Sequence, residues 1–109
     1  MVLSFIDNNY KNPIFSMDLV SDSLNIQKSR VRAVIKDSYG YSFAQHVALL
    51  RMNEFKRLLL ETDESIQNII KDVGYMDTAN FLRKFREAEG MTPGKYRSLN
   101  KNIHLIGNE

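Results

Sequence analysis

The chain has 109 residues, 43% of them hydrophobic, and a formal net charge of only +2. That is one domain, or two tightly joined subdomains, with enough apolar residues for a core, so disorder is expected only at the ends. There is no cysteine, which excludes disulfides and thiolate metal sites, and His46 and His104 are too far apart to make a ligand spacing. No apolar run approaches the ~20 residues of a membrane span, and the start Met1-Val2-Leu3-Ser4-Phe5-Ile6-Asp7 reaches a charge too soon for a signal peptide. A soluble cytoplasmic protein is expected, with no membrane contact, metal or cofactor.

In chain order, a first helix is predicted from about Leu3 to Tyr10, ended by the polar stretch that runs into Pro13. Ser16 caps Met17 to Ser23, with Asp18 in the favourable first turn. Asn25 can take the left-handed conformation of a tight turn. Lys28 to Tyr39 follows, closed by Gly40, with Val31, Val34 and Ile35 facing inward. Ser42-Phe43-Ala44-Gln45 fits a capping box, and nothing breaks the helix from there to Thr62. Its stripe of Phe43, Val47, Leu50, Phe55, Leu58 and Leu59 is wide enough for a helix touched on more than one side. Ile66, Ile69, Ile70 and Val73 line a short helix ended by Gly74. Asp77 caps the next, which buries Phe81 and Phe85 and closes at Gly90. Thr92-Pro93 opens a last helix to about Leu99. Strand alternation is missing throughout, so the chain reads as all-α with seven helices.

One pattern occurs twice, about fifty residues apart. Leu19 to Ser42 and Ile69 to Thr92 each give a short apolar helix, a tight turn and a second helix carrying cations. That is a helix-turn-helix, whose second helix enters a DNA major groove. Lys28, Arg30, Arg32 and Lys36 cluster with no acid between them. Arg83, Lys84 and Arg86 form the matching cluster in the second copy. A solvated helix face explains either cluster alone; their recurrence at matching positions favours a nucleic-acid footprint. The layout is a first unit over 1–41, a connector helix over 42–62, a second unit over 63–100 and a disordered tail over 101–109.

The run from Ser65 through Val73-Gly74-Tyr75-Met76-Asp77, then Asn80-Phe81-Leu82-Arg83-Lys84-Phe85-Arg86, Gly90-Met91-Thr92-Pro93 and Tyr96-Arg97, resembles the DNA-binding domain of the AraC/XylS family of bacterial transcription regulators. Ser42-Phe43, Arg51-Met52 and Leu58-Leu59 fall at that family's intervals, and the resemblance covers Val2 to Asn100. It implies a homeodomain-like monomeric domain whose two helix-turn-helix units, joined by one helix, enter successive major grooves on one face of double-stranded DNA. Two departures stand out: Ile35 replaces a usual phenylalanine, and Phe55 a usual alanine. Close packing suggests an exchange of volume between them. Ala33 stands where many relatives carry arginine, which shifts readout in the first unit toward Arg32.

Carried over from the family, the groove-facing residues are Lys28, Ser29, Arg32 and Ala33 in the first unit and Thr78, Ala79 and Arg83 in the second. Arginine binds guanine O6 and N7 through two parallel bonds, so Arg32 and Arg83 are the expected base readers. Ser29 and Thr78 can bond several bases, and Ala33 and Ala79 can touch a thymine methyl. Lys28, Arg30, Lys36, Lys84 and Arg86 are assigned to phosphates, which add affinity and salt dependence rather than sequence information. The competing use of Arg83 is an internal ion pair, and that of Arg51 a structural one. Met52, Met76 and Met91 are expected as core filler.

Paired histidines and phosphate loops are missing, which argues against an enzyme. The rival reading is a helix-turn-helix scaffold working through protein contacts, for which Tyr39, Tyr41 and Tyr75 are the candidate surface, although Tyr41 and Tyr75 are also placed to staple their turns. The resemblance implies a sensing or dimerising domain outside this chain. Activation would require contact with RNA polymerase, and no motif announces that surface.

Overall fold

The computed structural model describes residues 1–107, and side chains for residues 1–101. Its described residues form seven α-helices and no strand: α1 Val2–Asn9, α2 Met17–Leu24, α3 Lys28–Tyr39, α4 Phe43–Glu61, α5 Ile66–Asp72, α6 Thr78–Glu89 and α7 Pro93–Gly107. Short polar side chains start most of them. Ser16, Ser42, Ser65 and Asp77 each accept a bond from the backbone N–H three residues on, and Ser42 with Gln45 completes the capping box. Asn25 ends α2 in the left-handed region (φ 55°, ψ 48°). Gly40 and Gly90 end α3 and α6 almost identically, at φ 78° and 75°, so the sequence repeat is also a repeat of backbone geometry.

The last helix is longer than its sequence suggests. Reading stops it near Leu99 and leaves 101–109 as a tail, yet α7 continues to Gly107. Between Leu99 and Gly107 stands neither proline nor glycine, so nothing forces an earlier end. Asn108 and Glu109 lie outside the described residues, and so does the side chain of His104.

Two separate cores hold the molecule together. The first gathers Ile6, Phe15, Val20, Val31, Ile35 and Val47, with Phe43 and Leu50 packed against it; Val34, expected to face inward, is only half-buried and is not part of that core. The second gathers Phe55, Leu59, Ile69, Ile70, Val73, Phe81 and Phe85, joined by Met52, Leu58 and Tyr96. Helix α4 contributes to both, its N-terminal half to the first and its C-terminal half to the second. It therefore closes the first unit as α7 closes the second, and opens the second unit as α1 opens the first.

This division corrects the expected exchange of volume. Ile35 lies in the first core and Phe55 in the second, so neither can fill space left by the other. Phe55 instead completes an aromatic trio, with ring centroids 4.5 Å from Phe81 and 5.5 Å from Phe85, both edge-on. Met76 is also corrected. It is 74% exposed and fills no core, whereas Met52 and Met91 are half-buried.

Polar contacts tie the shared helix to each end of the fold. Arg51 donates to the carbonyls of Tyr10 and Asn12, and Lys101 and Arg97 donate to that of Thr62, one repeat later. Of the two uses open to Arg51, a structural ion pair and a DNA contact, the ion pair is not found among the described residues; its hydrogen-bond partners are carbonyls. Glu54 accepts from Arg57 on its own helix and from Lys11 on the loop after α1. At the α3–α4 turn His46 is buried, with Nδ1 3.0 Å from the Tyr41 hydroxyl and its ring stacked 4.5 Å from that of Tyr39. Its Nε2 has no partner among the described residues, and burial pushes its pKa below the usual histidine value.

Two outcomes follow for stability. Phe55→Ala should cost about 3–5 kcal/mol, read as the free energy of urea unfolding. The Glu54 carboxyl is held down to about 2, by hydrogen bonds from Arg57 first and Lys11 after it. A depressed carboxylate pKa means the unfolded chain takes up the proton first as pH falls, so the stabilisation is present above about 4.5 and is lost toward pH 2. Stability of the unaltered chain should therefore exceed that of Glu54→Gln at neutral pH, and the gap should close across that window in pH-dependent denaturation.

Candidate DNA interface

The local sequence sets the exposed face of α3 and α6, the second helix of each helix-turn-helix unit. In α3 the buried positions are Val31 and Ile35. Ser29, Arg32, Ala33 and Lys36 then fall on one outer stripe, at i, i+3, i+4 and i+7. All four are exposed. In α6 the buried positions are Phe81 and Phe85, and the matching stripe is Ala79, Leu82, Arg83 and Arg86. The two stripes are not copies. Arginine stands at the second position in the first unit and at the third in the second unit, while the fourth is a cation in both.

Each stripe borders an open groove against the start of the next helix. In the first unit Ser29, Arg32, Ala33 and Lys36 share a groove of about 720 Å³ with Met17, Tyr41 and the Ser42–Gln45 start of α4. In the second, Leu82, Arg83, Arg86 and Glu87 share one of about 860 Å³ with Ile66 and the Thr92–Gly94 start of α7. Both grooves thus combine side-chain cations with the positive end of a helix dipole, which favours an anion, although the caps already occupy the Gln45 and Lys95 N–H groups. The capping residues Ser42 and Thr92 carry this signal in the sequence, where they mark only helix starts.

Other assigned residues stand apart from the grooves. Lys28 pairs with Asp18 of α2. Arg30 lies on another side of α3, beside Met1, Val2, Leu3 and Val34. Thr78 is half-buried and Ala79 exposed at the start of α6. Lys84 borders a cleft between α4 and α6, with Leu49, Met52 and Asn80. Arg83 makes the internal pair that was the alternative expected of it: it donates to Glu87 at 3.1 Å and to Asn80 at 2.7 Å. Both members are largely exposed, at 60% and 64%, and such pairs exchange readily for a stronger partner. No ion pair is found for Arg30, Arg32, Lys36, Lys84 or Arg86 among the described residues.

A family model described as a helix-turn-helix domain matches residues 20–98, which spans both stripes. The chain belongs to the AraC/XylS-type helix-turn-helix family. That family consists of DNA-binding transcription regulators rather than enzymes. The chain is 30% identical over 95 residues to the lactose operon transcription activator of Staphylococcus xylosus, covering 87% of this chain and 34% of that protein. It is 26% identical to the HTH-type transcriptional regulator YtdP of Bacillus subtilis, covering 94% of this chain and 13% of that protein. The chain therefore spans about a third or less of these curated relatives. Among solved structures it superposes on the C-terminal domain of AraT, a response regulator from Geobacillus stearothermophilus, with TM-score 0.81, 28% identity and coverage of 90% and 81% of the two chains. The family accounts for exposed cationic stripes on both reading helices; the scaffold reading does not require them. Tyr41 and Tyr75, its candidate surface, are half-buried against their own turns, and only Tyr39 is exposed.

Proposed function

We propose that this chain binds double-stranded DNA sequence-specifically, with α3 and α6 in successive major grooves, as the output domain of a larger bacterial regulator. One observation carries the reading: the two cationic stripes stand at equivalent places on two units that share one helix. Nineteen residues of α4 rise about 28 Å at 1.5 Å per residue, close to the ~34 Å between successive major grooves on one face. The whole molecule measures 45 Å along its longest axis, enough to bridge that interval. The response-regulator origin of AraT's domain supports an output role, with the sensing or dimerising part outside this chain.

The proposed division of labour follows the geometry. Arg32 and Arg83 read guanines, and Ser29, Ala33, Thr78 and Ala79 complete the base contacts. Lys36 and Arg86, each beside a helix start, seat phosphates, and Lys28 and Lys84 add flanking phosphate contacts. Arg30, outside the groove, contributes general attraction only. Arg83 reaches a base by exchanging its Glu87 partner. The protein works in the cytoplasm on the nucleoid, and activation at a promoter brings RNA polymerase as a second partner. No described helix is long and apolar enough to cross a membrane.

Duplexes selected by the purified chain from a random library, at near-physiological salt, supply the probe. On the selected duplex Arg83→Ala should lose about 1–3 kcal/mol and its preference at one base pair. Lys36→Ala should weaken selected and random DNA alike, and reduce the slope of log K against log salt by roughly one phosphate contact. Equal losses for Arg83→Ala on both DNAs would remove it from the base-reading set.

A further inference from the structure

Sharing α4 ties each core to one helix, but a second contact runs directly between the units. It joins the loop after α1, in the first unit, to the α5–α6 turn that launches the second reading helix. Arg51 stands between them. Its Nε donates to the Tyr10 carbonyl at 2.9 Å and an Nη to the Asn12 carbonyl at 3.0 Å. Its guanidinium lies over the Tyr75 ring, 5.6 Å from the centroid.

The turn is pressed against this assembly. Gly74 is buried with φ +111°, and a Cβ there would stand 2.8 Å from Arg51 Nε and 3.0 Å from the Lys11 carbonyl oxygen. First-unit backbone, α4 guanidinium and second-unit turn therefore meet at one point. A guanidinium is planar, and its donors have a fixed fork geometry. Two carbonyls accepting from its N–H groups and a ring near its central carbon constrain its orientation, and hence where the turn sits. Thr78, the first residue of α6, follows Tyr75 by three positions.

The angle between the units matters because B-DNA turns about 34° per base pair, one turn in 10–10.5 base pairs. A rotation of one unit about the duplex by that amount moves its reading helix by one base pair. We propose that Arg51 is a positioning residue that fixes the angle between α3 and α6, so that the domain reads the spacing of two DNA blocks as well as their sequence. This rests on the two-groove reading above.

The test compares the unaltered 109-residue chain with Arg51→Met, which keeps apolar length without the donors, and Arg51→Lys, which keeps charge without the fork. Circular dichroism and thermal unfolding establish that each folds; Tyr75→Leu, which removes the ring from Arg51 and also its aromatic contact with Phe81, stands in if Arg51→Met does not, with single-block binding as the control for the second unit. Probes are the selected two-block duplex, versions with the spacer longer or shorter by about one base pair, and duplexes with a single block. The unaltered chain should lose about tenfold or more on either altered spacer, through reduced effective concentration of the second unit. Arg51→Met and Arg51→Lys should bind the original duplex about tenfold more weakly and discriminate spacers by about threefold or less, with single-block binding unchanged. A full spacing penalty in folded Arg51→Met and Arg51→Lys, or equal losses on one-block and two-block DNA, would overturn the proposal and leave Arg51 a stabilising residue. An unaltered chain that selects one block, or ignores spacing, would sink the two-groove reading itself.

Discussion

Burial of α4 from two sides is what the rest of the molecule depends on. A helix of 19 residues in a protein draws most of its stability from packing of its apolar faces rather than from propensity. Here Val47 joins one core and Phe55 and Leu59 the other, so helix formation and the assembly of both units are mutually stabilising. The chain between its caps holds neither glycine nor proline, and the Ser42–Gln45 capping box satisfies its first donors. A continuous helix has a fixed rise per residue, and that rise converts sequence length into the distance between α3 and α6. A break in α4 would leave two small units with half-built cores, each too small to hold its shape without the shared helix.

The repeat extends from backbone to chemistry, and then stops. Glycine caps, buried pairs and the groove beside the next helix start recur with the same spacing. The outward stripes diverge: Arg32 corresponds to Leu82, and Ala33 to Arg83. Under the proposed roles, the two units place their single reading arginine at different points along the groove, so a domain of near-symmetrical build would recognise two unlike DNA blocks. The cations beside the helix starts, Lys36 and Arg86, are kept in both units, consistent with a phosphate role that carries no sequence information. Arg83 differs from Arg32 in having Glu87 and Asn80 beside it, which orient it along α6.

Features governed by local chemistry were readable from sequence. The bounds of Lys28 to Tyr39 and the left-handed turn at Asn25 are legible in the sequence, because a cap or a turn is decided within a few residues. The periodicity that buries Val31, Ile35, Phe81 and Phe85 is equally local. What escaped depends on which parts of the chain meet in space. Ile35 and Phe55 looked like compensating changes until they fell in separate cores. Met76, apolar in sequence, sits at the exposed end of a turn. Arg51 looked like half of an ion pair, but its partners are carbonyls, which have no signature in a side-chain sequence. His46, which has no ligand spacing in the sequence, is buried in an aromatic stack with Tyr39 and Tyr41. The length of α7 was missed for another reason: a chain end with mixed polar and apolar residues carries no clear stop signal.

The most direct measurement is guanine N7 methylation interference on a duplex selected by the purified chain, since arginine in the major groove bonds N7 and O6 and methylation there blocks it. Two helices on one rigid connector predict two clusters of interfering guanines, centred about one helical turn apart, roughly 10 base pairs, on the same face of the duplex. A single cluster, or two clusters on opposite faces, would contradict the account: α4 would then not be holding α3 and α6 in successive grooves.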